Sequence, residues 1–396
     1  RRVGRELRKA RVAFSCTNKV SYSTHACIES KRSQGGFMGT VWRDRGLWTE
    51  TGESHVNQTT FAFAIPQLVG YATAQKKFLP PKPLYSRLDF DYVDVYREKR
   101  PLMWRILNER PGAAEVRVIP EPFKYRVISL GEENVYATLR PVQQMMWKTL
   151  QRFPCFQLTG AGNADMLTLM SGFVTKFWTA GDVFVSGDYK AATDNLHTDC
   201  MVACADEWFA DDPETLLLIR RSLGTSLIHY TDKTVATVKG PGDAAFPSEW
   251  IPDEFVQENG QLMGHLLSFP LLCAVNAAVC RRSVEIARNR RYSLREAPVL
   301  INGDDCLLVG PRSLESIWEK MASDVGLTKS VGKSYTSSHF AMINSRYFQI
   351  NSFCVDKEAM EYKAYVKEDI GYTNMGILVG RKKGTHASCE VNPRDQ

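Results

Sequence analysis

The 396 residues carry a formal charge of +6, with 44% hydrophobic and 24% charged side chains. Those proportions are average for a globular chain and exclude disorder over most of its length, while the length allows one large core or two to three smaller ones. The longest apolar run, residues 266–280, is interrupted by Ser268, Pro270 and Asn276 and stops at Arg281-Arg282. It is too short and too polar for a spanning helix, which takes roughly 18 or more apolar residues.

The chain opens on Arg rather than Met, which suggests a trimmed fragment. Arg1, Arg2, Arg5, Arg8, Lys9 and Arg11 crowd this start, and Arg381-Lys382-Lys383 lies near the end. Such clusters read as solvated helix faces or as contacts for backbone phosphates. The ten cysteines form no CxxC pair and no Cys/His set at zinc spacing. Cys200 and Cys204 fit the apolar face of one helix, so reduced core thiols in a cytosolic compartment are expected.

Pro80-Pro81-Lys82-Pro83 punctuates the chain and is expected to close an N-terminal lobe. Next comes Pro122-Phe123-Lys124-Tyr125-Arg126-Val127-Ile128, a strand-like run with Lys124 and Arg126 on one side. Two cations so placed can grip a triphosphate, Arg as a bidentate fork and Lys as a point charge, or can line a solvated edge. Arg117 is a weaker third candidate.

Residues 183–185 form a short β run that ends at Gly187-Asp188. A helix follows, with Leu196, Cys200, Cys204 and Trp208 along one stripe. The stretch from Gly240-Pro241-Gly242 to Pro252 reads as an irregular excursion inside a larger domain. Residues 268–286 predict a second helix, with Ser268 as N-cap and Pro270 in its first turn. Asn276 interrupts its apolar face, and a buried amide needs a partner. Residues 299–301 and 306–309 are strands joined by the tight turn Asn302-Gly303-Asp304-Asp305. The order strand, helix, helix, hairpin predicts an α+β domain with helices on one face of an antiparallel sheet.

Adjacent carboxylates at the tip of an apolar hairpin repel each other unless solvent or a cation intervenes. A solvated turn would account for Asp304-Asp305 alone. Asp188, where another strand runs out, changes the reading. If that strand pairs with the hairpin, Asp188 and Asp304 face one another at the sheet end and can hold Mg²⁺ with phosphate oxygens.

The series Asp188-(five residues)-Asp194, then Gly264-His265-Leu266-Leu267-Ser268-Phe269-Pro270 with Asn276, then Gly303-Asp304-Asp305, resembles motifs A, B and C of viral RNA-directed RNA polymerases. The wording is most similar to the ourmiavirus, narnavirus and levivirus group of positive-strand RNA viruses. The run holding Lys124 and Arg126 resembles motif F, which guides the incoming nucleotide; Lys333-Ser334 and Asn344-Ser345-Arg346 resemble motifs D and E. The resemblance implies a right-hand fold with an antiparallel palm packed on helices. Its expected parts are an N-terminal extension and fingers over 1–180, a palm over 181–350 with a fingers insertion near 212–258, and a small or shortened thumb over 351–396. It implies Asp188, Asp304 and Asp305 as catalytic ligands of two Mg²⁺ ions, for which Mn²⁺ can substitute, and Lys333 as a proton donor to the leaving pyrophosphate. Gly264, Asp194, Ser268 and Asn276 would face the substrate, the last three reading the ribose 2′-hydroxyl. In many such enzymes the Asn follows the motif-B Ser or Thr by one helical turn, whereas here it follows Ser268 by two. The implied partners are single-stranded RNA template, nascent RNA and NTPs. The implied location is the host cytoplasm, with the mitochondrion as the alternative.

Three rivals compete. Residues 326–334 approach a P-loop, but five residues separate the glycines where that loop requires four. A reverse transcriptase shares the metal carboxylates, yet its hairpin usually carries Tyr-x-Asp-Asp and its motif A a bulky ribose gate. A non-catalytic RNA-binding protein leaves the three aspartates without a purpose.

Overall fold

The computed structural model describes residues 1–14, 26–30, 36–37, 40, 92–121, 124–159, 166–223, 225–230, 254–356 and 361–370, some by backbone alone. The punctuation at Pro80–Pro83, the excursion over 240–252 and the basic cluster at 381–383 lie outside these residues.

Helix α1 (Arg2–Lys9) is followed by α2 (Tyr92–Glu109), β1 (Gly112–Glu121), β2 (Lys124–Gly131), α3 (Glu133–Leu150) and α4 (Met166–Phe177). Then come β3 (Val183–Gly187), β4 (Tyr189–Lys190), α5 (Thr198–Trp208), α6 (Pro213–Leu223), β5 (Ser226–His229) and β6 (Glu254–Val256). The long helix α7 (Ser268–Ala287) leads into the hairpin β7 (Val299–Asn302) and β8 (Asp305–Gly310), then α8 (Leu314–Ser323) and β9 (Thr328–Lys329). Strands β10 (Tyr335–Ser337), β11 (Phe340–Ile343), β12 (Arg346–Asp356) and β13 (Glu361–Ile370) finish the described chain.

The central sheet has the order β10-β3-β8-β7 and is antiparallel throughout. The expected pairing of the Asp188 strand with the hairpin is present, with Val185 opposite Leu308 and Gly187 opposite Cys306. The sheet is covered on both faces, not on one as the element order suggested. Val183, Val185, Val299, Ile301, Cys306 and Leu308 join the core that holds α5, α7 and α8. The alternate residues Phe184, Leu300, Leu307 and Val309 join a second core with α4 and the sheet β11-β12-β13. That double burial is why β3, β7 and β8 read as continuous apolar runs rather than alternating ones. A second sheet, β2-β1-β5-β6, stands beside the central one and contains a parallel β1–β5 pair.

The N-terminal cations are largely structural. Arg2 binds Glu285 at 2.6 Å, Arg5 binds Glu207 at 2.9 Å, and Arg11 binds Asp211 at 2.9 Å. Glu6 receives Arg281 at 2.5 Å. Helix α1 is thereby riveted to α5 and α7, and Gly4 lets the backbones close, since a Cβ there would lie 2.7 Å from the Cys204 carbonyl oxygen. Among the described residues no helix is long and apolar enough to cross a membrane. The P-loop rival also ends here: after Gly326 the chain runs into β9 and a turn rather than the helix a phosphate-binding loop requires.

Candidate active site

Strand β3 carries Asp188 just past its last residue, and the backbone of Asp188 is held by the loop after β9. Ser330 N–H donates to the Asp188 carbonyl at 2.9 Å. The Ser334 hydroxyl accepts from Asp188 N–H at 3.1 Å and donates to its carbonyl at 3.0 Å. The same loop delivers Lys333, whose Nζ lies 3.3 Å from Asp188 Oδ2. That oxygen is buried and accepts no hydrogen bond, so its one described cationic neighbour meets it as a charge rather than through an aligned N–H.

Across the sheet, Gly303 takes φ +69° in the two-residue turn between the paired Asn302 and Asp305. The turn presents Asp304 to a cavity of about 640 Å³ that is also lined by Arg126, Asp188, Asp194 and Lys333. Burial pushes the Asp304 carboxyl up, Asp188 pushes it further, and Lys333 and Arg126 pull it back. Asp305 does not line the cavity; burial, then Asp304 and Asp188, raise it to about 7. Two carboxylates that burial and neighbouring charge push toward protonation, beside the buried, hydrogen-bond-free Oδ2 of Asp188, make an environment that a cation relieves. The donor set is all oxygen, which suits Mg²⁺. The three do not converge within 4.8 Å of one another, as Cys27, Glu29 and Glu133 do. An ion there would therefore draw on one or two of these carboxylates rather than on all three. The Cys27 group is a poor rival: Lys99 occupies Glu133, and burial and Glu29 push the thiol up to about 12.

The cavity's opposite wall is apolar. Strand β2 brings Val127 and Ile128 to it, and β5 and β6 bring Ile228, Tyr230 and Phe255. Tyr230 and Phe255 stack with ring centroids 5.6 Å apart. Neither was among the expected site residues, because nothing in local periodicity marks a residue that faces a distant strand. Ala191, on the rim, takes φ +46°, strained for a residue with a Cβ, and so turns the chain between Asp188 and Asp194. Lys124 opens β2, opposite Glu121, with its side chain outside the described ones. Arg117 is engaged by Glu115 at 2.7 Å.

Three expected substrate contacts lie outside the cavity wall. Ser268 is not an N-cap; it is the first helical residue, and its hydroxyl donates to the Leu262 carbonyl at 2.9 Å. Asn276 is wholly buried, accepts from Tyr189 Oη at 2.8 Å and donates to the Gly303 carbonyl at 2.9 Å. Gly264 has φ +133° and presses on β2, where a Cβ would sit 2.0 Å from the Ser129 carbonyl oxygen. Its own carbonyl accepts from Tyr136 Oη at 2.8 Å.

No protein-family model matches the chain. The RNA-dependent RNA polymerase of Ourmia melon virus (isolate Melon/Iran/VE9) is 32% identical over 296 residues, covering 70% of this chain. The chain is a homologue of that viral polymerase. It spans about a third of the relative's length, 32%. Two solved structures also align: the RNA-dependent RNA polymerase of a human picorbirnavirus and its insertion loop deletion mutant. Identities are 18% and 16%, TM-scores 0.45 for both, and coverage is 60% of this chain and 43% and 44% of theirs. For the polymerase homologue, the expected motif A, B and C segments thus gather at one end of the central sheet. Asp188, Asp194 and Asp304 share a cavity there, whereas Ser268 and Asn276 sit behind its wall.

Proposed function

We propose that the chain is the catalytic body of an RNA-directed RNA polymerase that replicates a viral RNA genome by template-directed nucleotidyl transfer. One observation carries the reading: Asp188 and Asp304 share a cavity with Arg126 and Lys333, in a chain homologous to a viral polymerase. In this reading the fold is a right hand, with fingers within 1–180, a palm over 181–350 that receives a fingers insertion near 212–258, and a thumb within 351–396.

Asp188 and Asp304, with Asp305 beside them, would hold two Mg²⁺ ions, or Mn²⁺ in their place. Such ions, when bound, activate the 3′-hydroxyl and stabilise the leaving pyrophosphate. The oxygen of the nascent RNA 3′-hydroxyl bonds to the α-phosphorus of the NTP as the bond from that phosphorus to pyrophosphate breaks. Arg126, with Lys124 on the same strand, neutralises the triphosphate, and Lys333 returns a proton to the departing pyrophosphate. Asp194 accepts from the ribose 2′-hydroxyl. Tyr230 and Phe255 offer π-faces to a nucleobase. The partners are single-stranded RNA template, nascent RNA and NTPs, and the setting is the host cytoplasm or its mitochondria.

The test is whether the template dictates the product. With Mg²⁺ and a poly(C) template, the chain should incorporate labelled GMP and none of the other three nucleotides. RNA binding without incorporation would leave a non-catalytic RNA-binding protein instead.

A further inference from the structure

A hydrogen-bond relay joins the two catalytic strand ends, running from Tyr189, which lines the cavity, into the core behind it. Trp318 Nε1–H, from α8, donates to Tyr189 Oη at 2.9 Å. Tyr189 Oη donates in turn to Asn276 Oδ1 at 2.8 Å. Asn276 Nδ2 donates to the Gly303 carbonyl at 2.9 Å and approaches the Asp304 carbonyl at 3.4 Å. Tyr189 follows Asp188 directly, and Gly303 precedes Asp304 directly, so the relay ends one residue from each cavity carboxylate. Cys273 Sγ also accepts from Gly303 N–H at 3.2 Å, which pins the turn a second time to α7.

All three side chains are buried: Tyr189 is 3% exposed, and Asn276 and Trp318 are 0% exposed. An unmade bond at such depth costs more than a formed one contributes, so the relay holds a single arrangement. Asn276 is the member that bonds to both catalytic segments, accepting from Tyr189 and donating to Gly303. To meet a ribose it would have to leave Tyr189, Gly303 and the buried core together. Its position two helical turns beyond Ser268 places it under the hairpin tip rather than at the cavity wall.

Resting on the polymerase reading above, we infer that Asn276 is a positioning residue that sets the mutual placement of Asp188 and Asp304 through Tyr189 and Gly303, and does not read the ribose. Partners that orient metal-binding carboxylates from behind act on affinity and turnover together. Steric or hydrogen-bond selection among sugars does not pass through them.

The experiment uses the full chain with Asn276→Ala, Asn276→Asp and the near-isosteric Tyr189→Phe, each checked by thermal melting and assayed well below its melting point. Mn²⁺ affinity is measured by titration without substrate, and kcat, KM for GTP and the preference for GTP over dGTP are measured on poly(C). For Asn276→Ala we expect Mn²⁺ affinity and kcat to fall by ~10–100-fold, as for other groups behind a metal site. KM and ribose preference should stay within about two-fold, because neither is read through this relay. Asn276→Asp should resemble Asn276→Ala, since it turns an oxygen toward the Gly303 carbonyl. Tyr189→Phe should move Mn²⁺ affinity in the same direction, and the Tyr189→Phe/Asn276→Ala pair should be no worse than Asn276→Ala alone. A collapse of ribose preference with Mn²⁺ affinity intact would overturn the inference and put Asn276 on the sugar. Unchanged Mn²⁺ affinity in Asn276→Ala and Tyr189→Phe would overturn it as well. Failure of the unaltered chain to incorporate GMP would overturn the polymerase reading, and the Mn²⁺ titration would still decide the role of Asn276.

Discussion

Lys333 and Asp188 are joined twice: Lys333 Nζ stands 3.3 Å from Asp188 Oδ2, and the flanking Ser330 and Ser334 bind the Asp188 backbone. The lysine side chain is 69% exposed, so the ion pair itself adds little stability, at most about 1 kcal/mol. Lys333→Ala should therefore leave the melting temperature almost unchanged. If the lysine returns a proton to pyrophosphate, kcat should fall by ~10²-fold or more, with KM for NTP changing less. An unaltered kcat would reduce Lys333 to a surface cation.

The loop before α7 is fitted to β2 with no spare room at Gly264. Gly264→Ala combines a strained φ of +133° with a Cβ placed 2.0 Å from the Ser129 carbonyl oxygen. A loss of about 2–4 kcal/mol is expected, measurable by chemical denaturation. Denaturation at the unaltered midpoint would show that β2 and the loop can part without cost.

His265 makes that loop sensitive to acid. Its Nδ1 accepts from Leu267 N–H at 3.2 Å, so the neutral ring carries its proton on Nε2, which is buried without a partner. Although the residue as a whole is only half-buried, burial lowers the pKa of its ring to about 4. The folded value lies below the unfolded one of roughly 6.5, so the unfolded chain takes up the proton first. Stability from the neutral ring is complete above about pH 6.5 and is lost as pH falls toward 4, by ~2–3 kcal/mol. His265→Asn should flatten melting temperature against pH across that window; an identical slope in the variant would assign the acid sensitivity elsewhere.

Asp194 is the one expected ribose contact that lines the cavity. Asp194→Ala should erode the preference for ribonucleotides, by as much as ~10⁴-fold if its carboxylate is the main reader. dNTP use should change little. Preference retained together with a lowered melting point would make Asp194 a helix-start residue and nothing more.

The central sheet was readable in the sequence because its strands are short, apolar and stopped by polar turns. The pairing of β3 with β8 followed from placing Asp188 and Asp304 in one chemistry. The covering of both sheet faces was not readable, since β11, β12 and β13 return from more than 30 residues away to bury Phe184 and Leu307. At the site, Asp188, Asp304, Asp305 and Arg126 stood out from their types and spacing, whereas Asp194 and Lys333 were singled out by the resemblance to motifs A and D. Asn276 and Ser268 were recognised as polar interruptions, but their direction depends on helix rotation against the hairpin, which spacing leaves open. Tyr230 and Phe255 carried no signal at all, because their stack depends on the pairing of β5 with β6.

Asp304 as a metal-holding carboxylate in template-directed synthesis is tested most directly by the Mg²⁺ dependence of GMP incorporation on poly(C), compared between the unaltered chain and Asp304→Asn. The unaltered chain should be silent in EDTA and active with Mg²⁺. Asp304→Asn should melt at or above the normal temperature, since it removes a carboxylate whose burial and neighbour Asp188 disfavour its charge. Its synthesis should fall by at least ~10³-fold at every Mg²⁺ concentration, the scale expected when a group that stabilises transition-state charge is lost. Full synthesis by Asp304→Asn with the normal Mg²⁺ response would contradict the account.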